Sequence, residues 1–352
     1  MPLLQRLAAN PLLTPQDVAP TRGDLEVLCT LNPAAVRLGD ETLLLVRVGE
    51  RPIPQPQYVS YLIYDAAAGA IDVKHIATSD PDLTMPDARG YHYRGRMLLS
   101  SLSHLRIARS RDGEHFSFDR KPAIFPVNEY EAYGCEDPRI TFTNGQYYIT
   151  YTSVSDRGVT VSLASTSDFV EFYRHGVIFP PYQKDVCIFP RKIQNMYVCR
   201  HRPYSSIFNP PCIWTGWSPD LESWGRHELT LAPTPSTWMG QRVGCGAAPI
   251  ETPEGWLEIF HAADEQGRYY LGAMLSELER PQRIISHSAR PVLEPRESYE
   301  MAGIYANCVF SNGLTVDEDG RIVVYYGAGD RVCAAATTTI DEMVAAAKDS
   351  RI

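Results

Sequence analysis

Apolar residues in this chain fall in short runs rich in Val, Ile, Leu, Tyr and Phe, each entered through a turn of Gly, Asn or Asp. Such runs, with period-two alternation and turn residues at their borders, predict β-strands. The theme recurs as Gly39-Asp40 before Leu43 to Arg47, Arg94-Gly95 before Met97 to Ser101, and Asn144-Gly145 before Tyr147 to Thr152. It continues as Gln194-Asn195 before Met196 to Arg202, Glu254-Gly255 before Trp256 to His261, and Asp319-Gly320 before Ile322 to Tyr326. A second strand often follows and ends in a small-polar-acidic turn: Ser110-Arg111-Asp112, Thr166-Ser167-Asp168 and Ser218-Pro219-Asp220. An aromatic residue comes next, Phe116, Phe172 or Trp224. Six units are countable, spaced by about 50 to 65 residues, which suits the blades of a β-propeller. A β-sandwich would explain the alternation but not the period. Helical periodicity is confined to the tail, where Thr339 to Lys348 predicts a short capped helix.

Composition narrows the class. The chain has 352 residues, 44% of them hydrophobic, with 21% charged and 10% aromatic, ample for a core and unlike a disordered chain. No Pro/Gly/Ser linker divides it, so residues 1–352 read as one all-β domain. The net charge of −9 argues against a nucleic-acid partner but leaves room for a small anion at a local cationic cluster. No apolar run is long enough to span a membrane, and the opening Met1 to Ala9 is too quickly interrupted for a signal peptide. The eight cysteines are scattered without a CxxC and sit mostly in apolar runs, which fits a reducing cytoplasm rather than disulfides or metal. No nucleophile elbow, HExxH, P-loop or GxGxxG is present.

Chemistry concentrates at Glu136-Asp137-Pro138-Arg139, two adjacent carboxylates at the start of a β-branched run. Neighbouring side chains of a strand point to opposite faces, so one carboxylate is expected in a cavity and the other braced, with Arg139 as a candidate partner. Pro138 removes a ladder donor and places the pair at a strand entrance or a bulge. In isolation this motif would read as a surface turn with a salt bridge. Strand-end polar residues in the other units change that reading: Asn32, Arg47, His104, Lys184, Asp185, His201, Arg202, His261, Asn307 and Asp330. Carboxylates and amides to bracket hydroxyls, aromatics to stack on a ring, and one proton donor are what a sugar site requires. A single histidine such as His104 or His261 more commonly serves structure.

Gly134-Cys135-Glu136-Asp137-Pro138-Arg139-Ile140-Thr141, Lys184 to Pro190, His201-Arg202-Pro203, Gly255-Trp256-Leu257 and Tyr325 to Asp330 together resemble glycoside hydrolase family 130. This is the family of β-mannoside phosphorylases and β-mannosidases, and the likeness runs from Asn32 to Asp330. Ser101 to Ala108 is similar to the branch acting on β-1,2-linked mannosides. The resemblance implies a five-bladed propeller rather than six units, and Asp137 as general acid, relaying its proton through the mannose 3-hydroxyl. It places Asn32 and Asp330 around the mannose that is transferred. It also implies no metal or organic cofactor, with inorganic phosphate as co-substrate and α-mannose 1-phosphate as an inverted product. Expected substrate contacts are Asn32, Arg47, His104, Glu136, Arg139, Asp185, His261, Asn307 and Asp330. Lys184, His201, Arg202 and Arg157 are the expected phosphate cluster.

Hydrolysis is the alternative. An inverting hydrolase needs a second carboxylate roughly 6.5–9.5 Å from the acid to activate water, and Glu251, Glu258 and Glu300 are candidates. A phosphorylase needs cations instead, because its nucleophile arrives as an anion. A propeller that binds mannosides without turnover is the non-enzymatic alternative. Expected partners are therefore a manno-oligosaccharide and phosphate, with no nucleic acid and no membrane. A homo-oligomer is left open. The loops at Asp82 to Tyr93 and Tyr204 to Pro211 are candidates for shaping the acceptor side.

Overall fold

The computed structural model describes residues 3–87, 89–204 and 210–351. Strand dominates it, and apart from two small inserted sheets the antiparallel ladders fall into five successive groups, here called units, the first two continuous through a parallel contact between Gly134 and Ser103. Unit one holds Leu25–Leu38, Glu41–Pro52, Leu102–Ser110 and the short Ser117–Phe118. Unit two is Gly134–Thr143, Gln146–Ser155, Gly158–Thr166 and Tyr173–Phe179. Unit three is Gln183–Ile188, Tyr197–Pro203, Ile213–Ser218 and Gly225–Leu231. Unit four begins with Arg242–Cys245 and Ile250–Thr252 on one flank of Gly255–Ala263, then adds Tyr269–Ser276 and Ile284–His287. Unit five is Val309–Val316, Arg321–Ala328 and Val332–Thr339, and its fourth strand is Gln5–Arg6 from the other end of the chain.

Alternation explains how these sheets stack. Along Glu41–Pro52, Leu43 and Leu45 enter a core shared with Cys135, Ile140 and Ile149 of unit two. Leu44, Val46 and Val48 enter a different core with Val323, Tyr325 and Ala335 of unit five. One strand thus supplies both faces because successive side chains point opposite ways. Equivalent cores join units two and three through Val161, Leu163, Val186 and Ile188, and units three and four through Ile213, Val243 and Phe260. Leu257, Leu271, Val309 and Val324 join units four and five, with Met343 and Val344 of the C-terminal helix Ile340–Ala347 added. Thr339 caps that helix, its hydroxyl accepting from the Glu342 N–H.

Of the six instances of the turn-plus-strand theme, one lies outside these ladders. The instance at Arg94-Gly95 belongs to a three-stranded sheet of Leu83–Asp87, Gly90–Tyr93 and Arg96–Leu99, inserted between two strands of unit one beside the hairpin Tyr58–Asp65/Ala70–Ala77. Its tight Gly turn is the same local chemistry as in the units, but its strands pair only with one another. The acidic turns recur as expected: Asp112, Asp168 and Asp220 each accept two backbone N–H groups just downstream. All eight cysteines are free and seven are buried, in keeping with their reading as small apolar side chains. Among the described residues no helix is long and apolar enough to cross a membrane.

Candidate functional site

The first strands of units one, two and three share one irregularity. Asn32-Pro33, Asp137-Pro138 and Asp185-Val186 each place two residues opposite one on the neighbouring strand. The first of each pair has positive φ, at 48°, 50° and 53°. Asn and Asp tolerate this left-handed conformation better than other side chains bearing Cβ, and a bulge of this kind re-aims the side chain. Three bulges thereby bring Asn32, Asp137 and Asp185 to a single cavity of about 310 Å³.

The expectation that Glu136 and Asp137 face opposite ways is overturned. Both line the cavity, because the bulge breaks the period of two between them. Arg47, not Arg139, is their common partner. Its Nη2 lies 2.8 Å from Glu136 Oε1, its Nη1 3.1 Å from Asp137 Oδ1, and its Nε donates to Ser103 Oγ at 3.0 Å. The Asn32 amide donates to Asp137 Oδ1 at 2.8 Å, and Lys184 Nζ stands 4.0 Å from Glu136. Burial alone would raise the Asp137 carboxyl, but Arg47, Lys184, the Asn32 amide and Arg139 together hold it below the ordinary carboxylate range. Asp330, in the same cavity, goes the other way. Burial pushes it up to about 6, Arg47 opposes, and the neighbouring Asp137 charge adds to the rise.

Asp185 organises the adjoining wall. Its carboxylate meets Arg202 Nε at 2.8 Å, Arg139 Nη2 at 3.0 Å and His261 Nε2 at 3.4 Å. Burial works against ionisation there, and Arg202, Arg139 and His261 overcome it, so the group sits well below its usual value. Gly244 permits this packing, since a Cβ would fall 2.3 Å from His261 Nε2 and 2.7 Å from Asp185 Oδ2. Arg139 is a buried brace that also donates to the carbonyls of Cys245 and Gly246, and it does not line the cavity. His261 stands behind Asp185, and burial lowers its pKa to about 4, so it is neutral at pH 7.

Other expected residues lie elsewhere. Arg47 and Arg202 hold equivalent places, each opposite the residue before a bulge, and both line the cavity. His201, next to Arg202, alternates away from it. It stacks on Phe179 at 5.1 Å and meets Gln183 and His227, and burial lowers its pKa to about 3. His104 is buried against Glu50 at 3.3 Å and beside Phe125. Arg157 places its guanidinium over Tyr130, away from the cavity. Asn307 lines a neighbouring cavity instead. Of the three candidate hydrolytic bases, none lines the cavity. Glu258 pairs with buried Arg200 and Ser276, Glu300 with Arg6 and Tyr326, and Glu251 with Arg191 at the surface.

Sequence reasoning missed Arg89, Arg242, Tyr269 and Tyr305, which line the same cavity. Arg242 opens the first strand of unit four much as Lys184 stands near the start of that of unit three, and this parallel is a signal that was available. Tyr269 and Tyr305 look like ordinary strand aromatics, with nothing local to single them out. Arg89 belongs to the Asp82 to Tyr93 loop expected at the acceptor side. In the other such loop, Tyr204 to Pro211, residues 205–209 lie outside the described residues.

A family model described as beta-1,4-mannooligosaccharide phosphorylase matches residues 91–349. The beta-1,2-mannobiose phosphorylase of Listeria innocua is 37% identical over 346 residues, 97% of each chain. The 1,2-beta-oligomannan phosphorylase of a Thermoanaerobacter species is 41% identical over 234 residues, 66% of this chain and 77% of the other. The solved structure of the Listeria innocua enzyme with beta-1,2-mannobiose superposes with a TM-score of 0.94 at 36% identity, over 98% of this chain and 99% of that one. With a family model covering most of its length and a relative this similar across nearly all of it, the chain belongs to glycoside hydrolase family 130.

Proposed function

We propose that this protein is an inverting β-mannoside phosphorylase built on a five-bladed β-propeller. It transfers a mannosyl group from a β-1,2-linked manno-oligosaccharide to inorganic phosphate and releases α-mannose 1-phosphate. The propeller reading is supported by the five sheet units and by cores between every neighbouring pair, including units five and one. The β-1,2 linkage is supported by the two relatives described above.

One observation carries the choice of phosphate over water. The cavity gathers five cationic side chains, Arg47, Arg89, Lys184, Arg202 and Arg242, around four carboxylates, while Glu251, Glu258 and Glu300 are paired outside it. Cations are what an anionic nucleophile needs beside an acid of like charge. In this reading Asn32 and Asp330 hold the transferred mannose. A phosphate oxygen bonds to the anomeric carbon as the glycosidic bond breaks, and the departing oxygen takes a proton from Asp137 through the mannose 3-hydroxyl. Hydrogen phosphate balances the reaction by returning one proton to Asp137. Phosphate beside Lys184 also offsets a charge that keeps Asp137 ionised in the free protein, so the acid gains its proton when the nucleophile is in place. As the family resemblance implies, this reading calls for no metal or organic cofactor.

Incubation with β-1,2-mannobiose, with and without inorganic phosphate, tests the reading. Mannose 1-phosphate formed only when phosphate is present is the expected result. Free mannose released at an equal rate in phosphate-free buffer would establish a hydrolase instead.

A further inference from the structure

A second cavity of about 210 Å³ adjoins the first and shares Arg89, Ile304 and Tyr305 with it. The partition between them is a stack, with the Arg89 guanidinium 5.1 Å from the centre of the Tyr305 ring. Tyr305 is fixed in place. Its hydroxyl donates to the Gly267 carbonyl at 2.9 Å, its N–H to the Gly329 carbonyl at 3.2 Å, and its ring meets Tyr269 edge-on at 5.6 Å. Gly267 has φ +79°, and a Cβ there would lie 2.7 Å from Tyr305 Oη, so glycine is what lets the ring stand as the dividing wall.

We propose that this second cavity binds a further sugar residue at the acceptor end of the substrate, so that the protein favours β-1,2-mannotriose and longer chains over mannobiose. The inference rests on the phosphorylase reading and deepens it. The lining is suited to an uncharged polyol. Gln266 and Asn307 bring amides that both donate and accept, and Tyr305 brings an aromatic face. Arg268 has its charge met by Asp264 at 2.8 Å, and among the described residues no carboxylate lines the cavity. A second phosphate would find one guanidinium already paired and the other laid over an aromatic ring. A sugar finds hydrogen-bonding groups of both kinds beside a ring, continuous with the cavity that holds Asp137.

The test measures kcat/KM for phosphorolysis of β-1,2-linked mannobiose, mannotriose and mannotetraose by the wild-type protein and two variants. Two or three added neutral hydrogen bonds correspond to a gain of about tenfold from mannobiose to mannotriose. Ala306→Trp, at the exposed rim of the second cavity, should abolish that gain and keep mannobiose phosphorolysis at the wild-type level. Gln266→Ala should reduce the gain about threefold and serves if the tryptophan variant misfolds. Equal kcat/KM for all three chain lengths in the wild type would overturn the proposal. So would variants that lose activity on mannobiose and mannotriose alike. If no chain length yields mannose 1-phosphate, the phosphorylase reading fails, and the pocket's assignment falls with it.

Discussion

Asp137 and Asp330 share a cavity and are driven in opposite directions. Arg47 touches Asp137 directly and holds it ionised, whereas burial beside that same charge keeps a proton on Asp330 up to about pH 6. An asparagine at 137 is well accommodated, because Asn32-Pro33 already occupies the equivalent bulge in unit one at nearly the same φ. Asp137→Asn should therefore fold normally and bind mannoside with unchanged affinity by calorimetry, while kcat falls by at least about 10²–10⁴-fold. Full activity in that variant would remove Asp137 as the acid. Asp330→Asn should behave differently. A raised folded-state pKa means the native state holds the proton more tightly, so wild-type stability falls as pH climbs from about 4 through 6. The variant should melt above the wild type at pH 8 and with it at pH 4, and bind mannoside more weakly. A lower melting point than wild type at pH 8 would contradict the strained carboxylate.

At the level of elements, the bulge makes the site, and it was only half legible. Pro138 pointed to an entrance or a bulge, but strict alternation then sent Glu136 away from the cavity it lines. Alternation was a good guide where ladders are regular, as for Leu43 to Val46, and failed where two residues oppose one. Local turn chemistry likewise could not separate the inserted sheet at Arg96–Leu99 from the repeating units, since strand pairing is a long-range property. The motif that carries the proposed acid also carries the junction between units one and two. Gly134 has φ +125°, and its Cα lies so close to Ser103 that a Cβ would stand 2.5 Å from the Ser103 N and O. Those two residues form the parallel contact between the units, and Ser103 Oγ holds Arg47. Gly134→Ala should cost about 1–3 kcal/mol in urea unfolding and lower kcat as Arg47 shifts. Gly145→Ala, at φ +76° in an open turn with nothing within 4 Å of the added carbon, should cost about 1 kcal/mol and leave activity intact. Equal losses of activity in the two variants would refute the link between junction and site.

Across the whole molecule, unit five is completed from far away in sequence, where Gln5–Arg6 pairs with Val332–Thr339. Arg6 does more than complete the sheet. It donates twice to the fully buried Glu300 carboxylate, both at 2.7 Å, and once to the Glu294 carbonyl. The backbone N–H groups of Arg296 and Glu297 and the Tyr326 hydroxyl complete the shell around Glu300. This glutamate, a hydrolytic candidate by sequence, is thus a structural anchor that fixes the strand Gln5–Arg6 to unit five. Removing one partner of a buried pair leaves the other charge uncompensated, at a cost of about 3–5 kcal/mol. Because three other donors remain on Glu300, Arg6→Ala should fall near the lower end, about 3 kcal/mol at pH 7 by urea denaturation, with kcat unchanged. The pH dependence identifies the cause. Burial opposes ionisation of Glu300, but Arg6 and the other donors lower its pKa below the ordinary value. The stabilisation they bring is complete above the unfolded-state pKa and fades as pH falls through the lower folded one. The gap between wild type and Arg6→Ala should therefore narrow below about pH 4. A gap under about 0.5 kcal/mol at pH 7, or one of constant size down to pH 3, would mean that this ion pair does not anchor the N-terminal strand in unit five.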